Sequence, residues 1–304
     1  MEPLVSQQNH KYLSTLIVSI GAFLGFEAIS YAFGIYQLKA TLYLTFYIYA
    51  FHIFWLTFLF DLHLKKRAIL ATARINYKGG AMVWEACKQR VDHLRNWEYL
   101  RHYQNYLVLP GLIYWSTVVL MYLNLFNHSL KQLLVVTSTL AMSVAYWFMK
   151  EHVSRKLEHD VSWIRILSLV KLYAAFLVYS ALMGTTRYFN FDFNFLILSV
   201  LTLTFLLIYQ ALFQHKLLTF VAFLSTVMIA IVMAFVSFWV YVNWNSEYFT
   251  AGLVMLAVYN MLWGVLHHRL ENTLTRKIFW EYFAMMLLIV SFLLASHNFN
   301  QRIE

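Results

Sequence analysis

Charge is scarce in this chain. Only 12% of its 304 residues are Asp, Glu, Lys or Arg, half the roughly 25% of a soluble globular domain, and that excludes an ordinary water-soluble fold. Disorder is excluded as well, because disordered segments are charge-rich and poor in aromatics, whereas 19% of the residues here are aromatic. Proline and glycine number only 2 and 9, which removes collagen-like and Pro-rich architectures. The single cysteine, Cys87, rules out a disulfide within the chain and any site built on several thiolates. The first apolar stretch, Tyr12 to Phe33, has no short core followed by an Ala-x-Ala-like site, so no cleavable signal peptide is expected and the segment reads as an anchor.

What is present is apolar side chain, at 61% of residues. A bilayer core about 30 Å thick takes about 20 helical residues to cross. Runs of that size fall near 13–34, 41–61, 105–126, 132–149, 163–184, 193–211, 217–242, 249–266 and 278–296. The expected fold is an all-α bundle of about nine transmembrane spans, in a single domain over residues 1–304. The third run begins after a polar approach and contains Pro110, and the sixth and seventh lie close together, so the count is good to one.

The excess of positive charge, a formal +9, raises the question of nucleic acid, but its distribution answers a different one. Short cytoplasmic loops concentrate Lys and Arg. The 62–104 segment carries Lys65, Lys66, Arg67, Arg74, Lys78, Lys88, Arg90, Arg95 and Arg101, which places it and the N-terminus inside and the C-terminus out. The opposite side receives only Lys39, Lys131, Arg187 and Arg302. The expected partners are therefore the lipid bilayer and anionic headgroups at the cytoplasmic face of a cell membrane, not nucleic acid. After Gly79-Gly80, residues Val83, Cys87, Val91, Leu94 and Trp97 recur at helical spacing between charged residues, the pattern of an amphipathic helix on the inner surface.

Ionisable groups deep in a span are costly and point to function. Glu27 lies about 21 Å from the inner end of the first span, and His52 and Lys171 about 13 Å from the inner ends of theirs. Asn260 adds an uncharged polar group at similar depth. These four define a polar intramembrane path, which fits a non-enzymatic carrier or a component of a membrane complex. The alternative is that Lys171 snorkels to headgroups, His52 is a neutral hydrogen-bonded imidazole and Glu27 is protonated or interfacial. Gly21 and Gly25 form a GxxxG pattern that would let span one approach another helix or another chain, giving a homo- or hetero-oligomer.

Histidines gather at the inner face, where His152, His159, His267 and His268, with Glu271, raise the question of a metal. Membrane di-iron desaturases and hydroxylases resemble this in their many cytoplasmic histidines, and a metal-dependent enzyme acting on lipid is the second functional reading. The HxxxH and HxxHH spacings of those enzymes are absent. His267 and His268 are adjacent, about 100° apart on a helix, while Glu271 stands where one of them can pair with it. No Gly-x-Ser-x-Gly elbow, P-loop or Asp-rich diphosphate motif is found, and the sequence leaves the identity of any cofactor open.

From Leu262 to Tyr282 the chain carries a Trp-Gly, His-His, Leu-Thr and Glu-Tyr series before the last apolar run. This resembles the C-terminal hairpin of multi-pass proteins from ultrasmall candidate-phyla bacteria. The resemblance implies a bacterial cell membrane and draws attention to His267, His268, Glu271 and Glu281; helix-dipole complementation also accounts for cations at the end of one span and Glu281 at the start of the next.

Overall fold

The structure is a computed structural model that describes residues 3–36, 38–64, 97–124, 126–155, 161–214, 217, 219–244 and 247–296; side chains are described over 16–36, 38–52, 108–124, 126–147, 166–212, 217, 219–244 and 247–295. Among the described residues every regular element is helical. In order they are α1 (Pro3–Ile35), α2 (Leu38–Leu64), α3 (Trp97–Leu123), α4 (His128–Arg155), α5 (Val161–Tyr188), α6 (Phe193–Gln214), α7 (Phe220–Asn243), α8 (Tyr248–Leu270) and α9 (Arg276–Ser296).

Among the described residues six helical stretches are long and apolar enough to cross a bilayer: Leu16–Ile35, Ile166–Tyr188, Phe193–Leu212, Phe220–Asn243, Tyr248–Leu270 and Arg276–Ala295. Val108–Leu123 is a shorter apolar helix. The runs expected at 41–61 and 132–149 fall within α2 and α4. Pro110 does not break α3, although it removes one backbone donor from the helix interior. The amphipathic helix expected beyond Gly79-Gly80 lies outside the described residues.

The surface is apolar where a soluble protein's is polar, and the apolar core takes in small hydroxyl-bearing residues. Leu140, Leu169, Leu198, Phe235, Leu288 and Phe292 are exposed, Phe235 by 71%, while Thr41, Thr45, Ser138, Ser180, Thr186 and Thr204 are buried. Large apolar surface of this extent is suited to lipid, and small hydroxyl-bearing residues satisfy their own helix: Thr45, Thr186 and Thr226 each donate to the carbonyl four residues back. Ala222, Thr226, Ala230 and Ala234 make a buried stripe of small residues along α7, the composition that allows close helix packing where no hydrophobic drive separates helix from lipid. The architecture is that of a polytopic membrane protein.

The ends of two helices are set by asparagine. Asn190 and Asn272 are the described non-glycine residues with positive φ, at 50° and 57°. Each follows a helix whose last carbonyls are taken in the same pattern: Phe191 N–H bonds Thr186 O at 3.0 Å, and Thr273 N–H bonds His268 O at 2.9 Å. Asn190 and Asn272 N–H groups bond Arg187 O and Arg269 O, completing Schellman motifs with asparagine in the left-handed position.

The chain divides into two compact units, residues 1–114 with 125–167 and residues 115–124 with 168–304. In the first, α1 packs on α2 and α4, and α2 also on α4. Tyr114 of α3 enters this unit: its hydroxyl donates to Thr45 O at 2.7 Å, and its ring lies 4.9 Å from Tyr49 and 5.5 Å from Phe26. In the second, α6 packs on α7, α7 on α8 and α8 on α9. Here Gly184 lies against Tyr248 and, one turn on, Ser180 against Gly252, so α5 and α8 run antiparallel.

Candidate polar and metal-binding site

In the first unit, α1 uses two sides. A Cβ on Gly25 would stand 3.1 Å from Ile48 of α2, whereas Gly21 faces open space. Glu27, two residues and therefore about 200° beyond Gly25, is half-buried and accepts a hydrogen bond from Gln132 Nε2 of α4 at 3.2 Å. His52 is buried, at 7% exposure, and its Nε2 has no hydrogen-bond partner. From the turn between α1 and α2, the rise per residue puts Glu27 about 12 Å and His52 about 21 Å along their helices. The two are thus offset by roughly 9 Å in depth, and Glu27 has its own partner.

The second unit holds the denser polar group. Lys171 of α5 is 6% exposed, and no carboxylate among the described residues acts on it. The Ser180–Gly252 approach fixes where it points. From that crossing Lys171 is about 13 Å along α5 and His267 about 22 Å along α8, toward the same end of the unit. Side chains lean toward their helix N-terminus, and a lysine of roughly 6 Å reach closes most of the difference. Lys171 and His267 accordingly interact electrostatically. Asn260 is half-buried on α8, between the crossing and His267.

At the end of α8, His267 Nε2 is 3.2 Å from Glu271 Oε1, an i, i+4 pair across the last turn. His268 Nδ1 and Thr273 Oγ1 are 2.8 Å apart. That contact is a product of the Schellman cap, which folds Thr273 back over the carbonyl of His268. Tyr282 of α9 flanks the imidazole, ring centres 5.9 Å apart, and it sits where a side chain on residue 264 would be: a Cβ on Gly264 would meet its ring. The Trp263 and His267 ring centres are 5.5 Å apart. One ligand atom each from His267, His268 and Glu271 falls within 4.8 Å of the others.

The structure therefore brings Lys171 within electrostatic reach of His267, two features that had been assigned to different functions. It keeps Glu27 and His52 in the other unit. Glu281 stands apart from the cluster, paired at the surface with Lys277 at 3.9 Å. The side chains of His152 and His159 lie outside the described residues. Three contributors were missed. Gln132 and Gln210 are polar residues within apolar runs and were open to the same argument that selected Asn260. Gln210, 1% exposed, has neither amide atom hydrogen-bonded. Thr273 was signalled by Asn272, a favoured residue just beyond a helix end.

A family model described as a protein of unknown function, DUF5656, matches residues 80–296, well over half of the chain. The chain belongs to the DUF5656 family. The DUF5656 match takes in Lys171, Gln210, Asn260 and the whole His267 cluster, and leaves Glu27 and His52 outside it. No curated protein and no solved structure matches.

Asn272 is the simplest lever on this site. An Asn272→Ala variant loses the short polar side chain that lets asparagine tolerate the left-handed region, at a cost of about 1 kcal/mol, and loosens Thr273 from His268. Asn272→Gly keeps the cap. Thermal unfolding in detergent should show the alanine variant lowered and the glycine variant close to wild type; equal midpoints for the two would refute the cap.

Proposed function

We propose that this protein is a nine-span plasma-membrane protein of a bacterium, N-terminus inside, that acts without catalysis as a carrier or complex component and holds an anionic group at the cytoplasmic ends of α5 and α8. The observation that carries this is Lys171. An intramembrane ammonium is costly unless partnered; Lys171 is buried, and the described group on which it acts electrostatically is the His267 imidazole. A phosphate or carboxylate has the charge to pair with this ammonium, whether borne by a lipid or free in the cytoplasm. Orphaned Gln210 supplies further buried polarity at the depth of Lys171, both about 25 Å from the opposite ends of α5 and α6. The positive-inside distribution supports the orientation. Span one spends Gly25 on α2 within the chain, leaving Gly21 as the face for any oligomer.

The test is thermal unfolding of purified protein in a zwitterionic detergent with phosphatidylglycerol, phosphatidylcholine or inorganic phosphate added. Phosphatidylglycerol should raise the midpoint of wild type and leave Lys171→Met unmoved; a response to inorganic phosphate alone would assign the site to a soluble anion. Equal responses in wild type and Lys171→Met would sink the proposal. A second reading, a metal-dependent enzyme acting on lipid at the same face, draws on the convergence of His267, His268 and Glu271.

A further inference from the structure

The end of α8 carries an arrangement that the sequence spacing argued against. Two adjacent histidines leave a helix about 100° apart, yet the ligand atoms of His267, His268 and Glu271 lie within 4.8 Å of one another. The last turn and its cap bring this about. His267 and Glu271 share one face of the turn, and the chain returning through Asn272 puts Thr273 Oγ1 on His268 Nδ1.

We propose that His267, His268 and Glu271 bind one divalent transition-metal ion of the zinc class, with a coordination position left open. Zinc takes imidazole nitrogen and carboxylate oxygen at about 2.0–2.2 Å, so neighbouring ligands of a tetrahedral ion stand about 3.4 Å apart. The His267 Nε2 to Glu271 Oε1 separation is already 3.2 Å. Glu271 is exposed at the helix end, so its carboxylate can turn to meet an ion held by the imidazoles. Two imidazoles and one carboxylate form a donor set suited to zinc, iron or cobalt rather than calcium or magnesium. Three protein ligands are the number that leaves a place for water or another ligand.

His268 also has the surroundings of a metal ligand. Ligating histidines bond their second ring nitrogen to a neighbour that fixes tautomer and orientation. Thr273 occupies Nδ1 of His268, which leaves Nε2 for the ion when Nδ1 carries the proton. Tyr282 packs the ring from α9, admitted by Gly264. A dication bound by two neutral imidazoles and the single carboxylate of Glu271 leaves net positive charge at the site. An anion is then the natural occupant of the open position. The metal assignment itself does not depend on the headgroup reading.

The test uses the full chain, tag removed, in detergent. Elemental analysis after incubation with zinc and washing should give one equivalent, and Co²⁺ titration should give the visible absorption of a low-coordinate N/O site. His268→Ala and Glu271→Gln should each weaken Co²⁺ binding at least tenfold. Thr273→Val, which keeps all three ligands, should weaken it about tenfold by releasing His268. Glu281→Gln, outside the cluster, should bind as wild type. Lys171→Met should keep its metal even where it no longer responds to phosphatidylglycerol, so the two proposals fail separately. Absence of a stoichiometric ion in wild type, or wild-type affinity in both His268→Ala and Thr273→Val, overturns the assignment.

Discussion

Replacing Gly252 by alanine will destabilise the C-terminal unit by about 3 kcal/mol, the upper end of what overpacking costs. At this position α8 passes so close to α5 that a Cβ would stand 2.9 Å from the Ser180 amide nitrogen and 3.0 Å from its Cα, besides overlapping its hydroxyl. A flexible side-chain tip can swing away, but backbone atoms of a packed helix yield only if the helix shifts. Alanine is otherwise the best helix former, and relief of the glycine penalty would favour the variant by about 1 kcal/mol. The collision must outweigh that. Ser180→Ala is the informative companion: Ser180 Oγ is buried without a hydrogen-bond partner, so its removal alone should be neutral or mildly stabilising. Combined with Gly252→Ala it should recover only part of the loss, because the backbone clash remains. Thermal unfolding and size-exclusion profiles in detergent read all three. A Gly252→Ala protein as stable as wild type would mean that α5 and α8 do not meet at this crossing.

The same crossing separates what could be read along the chain from what could not. Hydropathy located the helices because crossing a bilayer is a local demand: each run of about 20 apolar residues meets it without reference to its neighbours. The pairing of α5 with α8 is not local. It rests on a glycine and a serine 72 positions apart in sequence, neither distinctive alone, and it is this pairing that carries Lys171 toward His267. Without it the two residues looked like members of different sites.

The histidine pair shows a second limit. Angular arithmetic on an ideal helix allowed one of the two histidines to pair with Glu271, and the i, i+4 relation selects His267. It misjudged His268, whose partner Thr273 lies beyond the helix end. Its ring position depends on the left-handed residue Asn272 between them, which angular spacing does not encode. Glu27 and His52 illustrate the converse. They stand out in the sequence as ionisable groups inside apolar runs, but the Gln132 side chain that engages Glu27 comes from α4, about a hundred residues away.

Arg187 accounts for one exception in the charge partition, a basic residue on the side assigned to the exterior, and it predicts the second large effect. Its Nη2 donates to the carbonyl of Trp244, at the C-terminal cap of α7, and its guanidinium lies over the Tyr241 ring at 5.8 Å. The last carbonyls of a helix lack intrahelical donors, and a cation there meets the negative end of the helix dipole. Trp244 is itself buried, with its indole nitrogen donating to Thr250 Oγ1 at 2.8 Å, and Thr250 in turn bonds Glu247 O at 2.7 Å. Arg187 thus ties the end of α5 to the turn joining α7 and α8. Arg187→Met removes a charged hydrogen bond, typically about 1.5–3 kcal/mol, and a cation–π contact of about 1 kcal/mol, while keeping the apolar stem. The expected loss is about 3 kcal/mol, with a red-shifted tryptophan emission as the Trp244 turn opens. Arg187→Lys keeps the charge but not the planar fork and should recover less than half. Unfolding of Arg187→Met at the wild-type temperature with unchanged emission would show that this turn stands without its arginine, and would leave a positive charge on that side with no structural cause.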